Sequence, residues 1–564
     1  MDRKRFISAA GVVGTGAVLG AAAWTRAPLP ITRSGRADLV LRGATIYDGS
    51  GSPPFEGDVS VVGDRIAAVG RVADTGVEEI DLRGLALAPG FIDIHSHADL
   101  SLLVNGRAES RIRQGVTLEV VGQDGNSIGP WSDERRVQTD ERYQRSYGVG
   151  IDFHDVGGFL DRIDRERPAV NVASMVGQGT IRGHVVGSRD RPANDNEILL
   201  MRRFVREALE GGGVGLSSGL EYTPGSFAGT DELIAIVKEL AGTGYPYASH
   251  MRNEDNRVLQ AVEEAIQVGI VAGVPVQVSH LKAQGERNWW KADAAVEVIR
   301  RAGEGGLNVH FDRYPYVAYQ TGLSNLFPAA MRSGGSAAFL RRLRDETEGP
   351  VLERAARDKI AMLGNWNAVQ LVSASGPYAA LKGRRLGDAA AERGVDPYDL
   401  TVDLLEAGGG SVGMIGFGMS EENTAMLLAH PLGMICSDGG AYAPYGALSG
   451  GSPHPRTYGS FPRVLGHYVR ERRDLTLESA IRKMTSAPAR KLLIEDRGTL
   501  EVDAFADLVA FDPDTVLDGA TFENPHQYPT GIPHVIVNGV VTIRDGEQSG
   551  QLGGRAVRGH VYAG

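Results

Sequence analysis

His95 and His97 stand one residue apart at the end of an apolar run, Pro89-Gly90-Phe91-Ile92-Asp93-Ile94. On a strand, residues two apart project from one face. Two imidazoles on one face are a natural pair of metal ligands. A surface pair or a satisfied core histidine would leave the same short signature. The apolar strand before the pair favours the ligand reading, because a β/α barrel builds its active site at the C-terminal ends of its strands. Three more groups fall at such ends: His250 after Tyr247-Ala248-Ser249, His280 after Val276-Gln277-Val278-Ser279, and Asp438 after Met434-Ile435-Cys436-Ser437. A barrel gathers all its strand ends on one rim, so residues distant in sequence converge there. Histidines and an aspartate at four strand ends exceed what core packing requires, and they point to a metal centre.

The elements that must position these groups alternate between strand and helix. Strands are predicted over 88–97, 116–121, 170–176, 213–218, 246–250, 274–280, 307–313 and 434–438, and amphipathic helices over 194–211, 231–242 and 257–272. Eight strands with intervening helices predict an α/β fold, a (β/α)8 barrel. The stretch 322–416 is too long for one strand-to-helix connection and reads as an inserted subdomain over the strand ends. At both chain ends, 37–87 and 496–564, short segments alternate apolar and polar residues between turn signals, with Asn538-Gly539 as a hairpin turn. Each end alone offers few strands, so the two are expected to build one small β-sandwich beside a barrel of 88–495.

Composition bounds the rest. The 564 residues carry a formal charge of -11 and no long basic block, which gives no footing for a nucleic-acid partner. A single cysteine, Cys436, excludes an internal disulfide and a cysteine-rich zinc site. It reads as a buried core residue, with a share in the metal site as the lesser alternative. Residues 1–36 read as an export signal and linker: Arg3-Lys4-Arg5-Phe6 resembles a twin-arginine start with Lys4 for one arginine, and a Gly/Ala/Val-rich run follows to Trp24. The protein is therefore expected in the periplasm or outside the cell. It contacts the membrane only if the segment is retained as an anchor, the second choice for so weakly apolar a run.

Further motifs carry a family resemblance. The paired-histidine motif, Tyr247-x-x-His250-x-Arg252-x-Glu254, Val278-Ser279-His280-x-Lys282, Asp312-x-Tyr314-Pro315-Tyr316 and Ser437-Asp438-Gly439 resemble the D-aminoacylase, or N-acyl-D-amino-acid deacylase, branch of the amidohydrolase superfamily. So do His454-Pro455-Arg456-Thr457-Tyr458-Gly459-Ser460-Phe461-Pro462-Arg463, Met484-Thr485-Ser486-x-Pro488-Ala489-Arg490 and Asn524-Pro525-His526-Gln527-Tyr528-Pro529. The paired histidines are common to the superfamily, and the other motifs are particular to this branch. The resemblance implies a barrel flanked by a β-sandwich and one or two Zn2+ ions. His95, His97 and Asp438 would surround one position, and His250 and His280 the other. The family usually places a cysteine after the second strand. Here the turn is Gly122-Gln123-Asp124-Gly125, so Asp124 stands at the thiolate's place. Asp is a competent and harder zinc ligand, and a carboxylate can bridge two ions.

The resemblance implies hydrolysis of the amide of an N-acyl-D-amino acid, a small-molecule substrate. A metal polarises the carbonyl and lowers the pKa of water. Asp438 would take the proton and hand it to the leaving amine. The substrate carboxylate needs cationic and hydroxyl partners, and Lys282, Arg456, Tyr222 and Tyr314 are the candidates by resemblance. Surface charge for the two cations and core packing for Tyr222 are the competing readings. Arg252 and Glu254 read as supports of the site or as a structural ion pair. A D-dipeptide, a cyclic amide or an N-carbamoyl compound is the alternative substrate for the same chemistry.

Overall fold

The computed structural model describes residues 36–562, so the export-signal expectation lies outside the described residues. Eight parallel strands form a closed ring: Phe91–Asp93, Val116–Val121, Asn171–Ser174, Leu216–Gly219, Tyr247–His250, Val276–Val278, Val309–Arg313 and Gly433–Ile435. The third strand resumes after Met175 as Val176–Gly177, where it pairs with the fourth. The parallel bridge Ser96↔Gly439 joins the eighth strand's exit to the first strand's, which completes the barrel. Most of the ring residues are buried on both faces, as expected where helices cover a parallel sheet outside and side chains fill its centre. The helices follow their sequence signals. Asp195–Glu210 begins at a reciprocal cap between Asn194 and Glu197 and buries Met201, Val205, Ala208 and Leu209 on one stripe.

The predicted strand over 88–97 divides at Gly90. Ala86–Pro89 pairs antiparallel with Leu508–Phe511, while Phe91–Asp93 enters the barrel beside Val116–Val121. The chain crosses between the two sheets here, and the Gly90 N–H donates to the Asp507 carbonyl at 2.8 Å. A Cβ at this position would lie 2.2 Å from Thr117 Oγ1, so only glycine fits the crossing.

Both chain ends contribute to one nine-stranded sheet: Ala37–Ile46, Phe55–Val62, Arg65–Gly70, Gly76–Asp81 and Ala86–Pro89 from the front, and Leu508–Phe511, His534–Val537, Val540–Arg544 and Glu547–Gln548 from the back. Along one edge, Ala37–Ile46 carries first Gly76–Asp81 and then Ala86–Pro89. The sheet divides there into two leaves, and Leu41, Val59, Ile80, Leu508 and Ile536 pack in their common core. A buried network ties this unit to the barrel. Arg497 pairs with Asp507, the Asn171 amide donates to Asp507 at 3.1 Å, and the Asn538 amide donates to Asn171 at 2.7 Å.

Between the seventh and eighth barrel strands stands a three-stranded antiparallel sheet, Ala318–Gly322, Gly413–Phe417 and Val369–Leu371, with helices such as Gly349–Leu363 and Pro397–Ala407 packed beside it. This inserted unit sits at the strand ends, on the same rim as the histidines.

Candidate metal centre and active site

The strand ends bring His95, His97, Asp124, His250, His280 and Asp438 together. His95 and His97 lie past the last ladder pair of the first strand. Their side-by-side placement is kept by the eighth strand: the Asp438 N–H donates to the His95 carbonyl and the His97 N–H to the Gly439 carbonyl, each at 2.9 Å. Asp124 occupies the centre. Its carboxylate oxygens are 3.3 Å from His95 Nε2, 3.4 Å from His97 Nε2, 3.3 Å from His280 Nε2 and 3.6 Å from His250 Nδ1. Asp438 closes the far side, 3.1 Å from His97 Nε2 and 3.8 Å from His95 Nε2.

The backbone holds these side chains under strain. Asp124, His280 and Asp438 have φ of 54°, 34° and 51°, the left-handed region that non-glycine residues rarely occupy. The turn carrying Asp124 lies flat on Gly219, where an added Cβ would meet the Asp124 carbonyl at 2.0 Å.

The donor set fits a metal. Both ring nitrogens of His95, Nε2 of His250 and Oδ1 of Asp124 are buried without a hydrogen-bond partner. His250 Nδ1 and His280 Nε2 face each other at 2.9 Å across the carboxylate. Burial alone lowers a histidine pKa. Here, opposing that burial, Asp124 and Asp438 raise His97 to about 9, and Glu254 and Asp124 raise His250 to about 10. The carboxylates thus draw positive charge onto the imidazoles, which is the field of a cation site. Asp124 also feels burial pushing its pKa up, but the imidazoles of His95, His280 and His250 outweigh it and hold the carboxyl well below the usual range.

Around the ligands stand two groups that the sequence motifs did not assign to the site, Asp312 and Glu221. Asp312, 1% exposed, accepts the His280 backbone N–H at 2.7 Å and lies 3.4 Å from His95 Nδ1, so it supports two ligands at once. Its place at the C-terminal end of the seventh strand was the available signal. Glu221 lies 3.7 Å from His250 Nε2. Arg252 and Glu254 do not pair with each other. Arg252 binds Glu264 and the carbonyls of Ser226 and Ala228, a structural brace. Glu254 binds Lys282 at 2.5 Å and lies 3.1 Å from His280 Nδ1. Cys436 is fully buried and belongs to neither group of converging ligands among the described residues.

The four carboxylate-binding candidates also gather here. The Tyr314 hydroxyl is buried without a partner, and its ring centre lies 4.8 Å from the Arg456 guanidinium and 5.8 Å from Lys282 Nζ. Arg456 donates to Asp438 Oδ2 at 2.7 Å. Tyr222 packs its ring 4.6 Å from that of His250. Arg456 and Lys282 are both buried, which excludes solvated surface charge for either. A cleft of about 1350 Å³ opens beside His97, Asp438 and Arg456, and a cavity of about 20 Å³ lies beside His250, His280, Lys282 and Tyr314.

A family model described as "Amidohydrolase family" matches residues 78–396 and 446–543, more than half of the chain. The chain belongs to the amidohydrolase family. Within this family it is similar to the D-aminoacylase of Alcaligenes xylosoxydans xylosoxydans, 36% identical over 521 residues, covering 92% of this chain and 97% of that one. A solved D-aminoacylase described with a binuclear metal centre superposes with a TM-score of 0.78 at 34% identity, over 93% of this chain and 100% of the other. The N-acyl-D-glutamate deacylase of Bordetella bronchiseptica, solved with zinc and a phosphonate mimic of the tetrahedral intermediate, superposes equally well at 33% identity over the same shares. These similarities agree with the branch resemblance of the sequence motifs.

Proposed function

We propose that this amidohydrolase uses one or two zinc ions to hydrolyse N-acyl-D-amino acids to a carboxylate and a D-amino acid. The observation that carries the reading is the central Asp124 carboxylate, within 3.6 Å of a nitrogen of each of four histidines and flanked by Asp438. His95, His97 and Asp438 would hold one ion and His250 and His280 the other, with Asp124 between. Zinc bound there supplies Lewis-acid polarisation of the scissile carbonyl and a more acidic water.

The chain's own groups do the rest. Asp438 Oδ1 faces His97, and Oδ2 is held by Arg456. That clamp fixes the carboxylate as a general base that takes the water's proton and later gives it to the leaving amine. Lys282, Arg456 and the free Tyr314 hydroxyl surround the place for the substrate carboxylate, and Tyr222 stands where a hydroxyl can meet the developing oxyanion. The residues 1–36 are proposed to export the protein through a twin-arginine-like signal, on the Arg3-Lys4-Arg5-Phe6 start and the apolar run after it.

Zinc-loaded protein is expected to release amine from N-acetyl-D-amino acids and to leave the L series intact. Release from D-dipeptides, cyclic amides or N-carbamoyl compounds alone would transfer the chemistry to those substrates. Comparing the full-length chain with one lacking residues 1–36 in cell fractions tests the export reading.

A further inference from the structure

Two cavities of very different size flank the metal ligands. The one beside Lys282 and Tyr314 holds about 20 Å³, space for one water. The other holds about 1350 Å³, above the roughly 300–1,000 Å³ that suits a drug-sized ligand. An acetyl group needs only a small part of it. One wall is the inserted unit, through Gln320, Val372 and Lys382, and the other is the helix Asp133–Tyr147.

That helix faces the cleft selectively. Arg135, Thr139, Arg142 and Tyr143 line it, at the i, i+4, i+7, i+8 spacing of one helical stripe. The helix also carries Asp133, Glu134, Asp140 and Glu141, and none of these lines the cleft. Among the described residues, Arg135, Arg142 and Lys382 form no ion pair with a carboxylate within 4.0 Å. Of the lining carboxylates, Asp124 and Asp438 lie among the metal ligands, which leaves Asp99 as one negative charge against Arg135, Arg142 and Lys382. In a chain of net charge -11, the outer cleft is therefore cationic against the background. Trp131, Tyr147 and Tyr442 add flat apolar faces between these charges.

We propose that the acyl side of the substrate is an acidic peptidyl group, so that the enzyme removes a C-terminal D-residue from a short anionic peptide. This rests on the deacylase reading and deepens it. The D-residue's carboxylate is taken by Arg456, which lines the inner end of the cleft, and the preceding residues run out along it. The balance is that of hydrolysis. The C–N bond to the D-residue breaks, the carbonyl carbon gains the water's oxygen, and the nitrogen gains a proton through Asp438.

The test compares N-acetyl-D-Leu, N-acetyl-Ala-Ala-D-Leu and N-acetyl-Glu-Glu-D-Leu on the zinc-loaded enzyme, reading release of D-Leu. The acidic peptide is expected to exceed both others in kcat/KM by about tenfold, mainly through KM, with the advantage shrinking as salt is raised. In Arg135→Ala/Arg142→Ala the ratio of acidic to neutral peptide falls to about one; that ratio is internal to each preparation and independent of the folded fraction. Equal or slower turnover of the acidic peptide, with N-acetyl-D-Leu still cleaved, overturns the inference and leaves the deacylase reading standing. A gain that follows D-side-chain size at fixed acetyl also overturns it, because the cleft then takes the amino-acid side. If no N-acyl-D-residue is released, both readings fall.

Discussion

Replacing Asp312 by asparagine removes one charge and almost no shape. The carboxylate accepts the His280 N–H at 2.7 Å on Oδ1 and the Gln277 amide at 2.7 Å on Oδ2. Gln277 Oε1 is buried without a partner, so a turned Gln277 side chain can accept from the new amide. The hydrogen bonds survive, and the negative charge beside His95 and His280 does not. Partners of this kind are worth about 10–100-fold in metal affinity, or ~1.4–2.7 kcal/mol. Because Asp312 touches two ligands, the upper part of that range is expected. Chelator competition measures the zinc affinity of Asp312→Asn, and thermal denaturation of the metal-free protein verifies that the barrel is intact. Unchanged zinc affinity in a normally folded variant would refute Asp312 as a support of the ligands. A lowered melting point with unchanged affinity would assign it to the core alone.

Other outcomes follow from the same geometry. Asp124→Ala removes the one group in contact with all four imidazoles, and zinc per chain, read by elemental analysis, is expected to fall by at least one ion if Asp124 bridges. Lys491 is buried and donates to the carbonyls of Val276 at 2.8 Å and Asn308 at 3.0 Å, and its burial pushes the amine down to about 7 from 10.5. Between those pH values the unfolded chain binds more protons, so this group's stability is present above 10.5 and lost as pH falls towards 7. Urea denaturation of wild type and Lys491→Met is expected to diverge in favour of wild type as pH rises, by up to ~1.4 kcal/mol per pH unit. Parallel curves would show that its carbonyl partners keep Lys491 charged. Asp507→Ala leaves Arg497 buried without its partner and is expected to cost about 3–5 kcal/mol, measured as a lower denaturation midpoint with zinc content retained.

The ligands were legible because each is local in sequence: an apolar run ends in a polar group, and barrel topology does the converging. Asp124 was legible only through the family resemblance, since Gly122-Gln123-Asp124-Gly125 alone reads as an ordinary turn. The break at Gly90 was not legible, because Ala86 to Ile92 is apolar throughout and periodicity cannot say which of two sheets a residue joins. Asp312 shares the strand-end position of the ligands, but its part as their support was hidden, because its partners, His95 and His280, are set by the fold and not by spacing. The cationic stripe of Asp133–Tyr147 was hidden by its own balance, because alternating signs along a helix look the same whether one face meets water or a cleft.

The shared sheet of the two chain ends has a consequence for how the molecule is made. On the ribosome the front strands emerge first and can pair among themselves, but Ala86–Pro89 then waits with an open edge until Leu508–Phe511 is synthesised. Unpaired edges recruit other chains, and pairings so distant in sequence form slowly. A nascent chain of this protein therefore spends nearly its whole synthesis with a sticky margin beside the future barrel. A transcript ending before Leu508 would yield a species that never covers it.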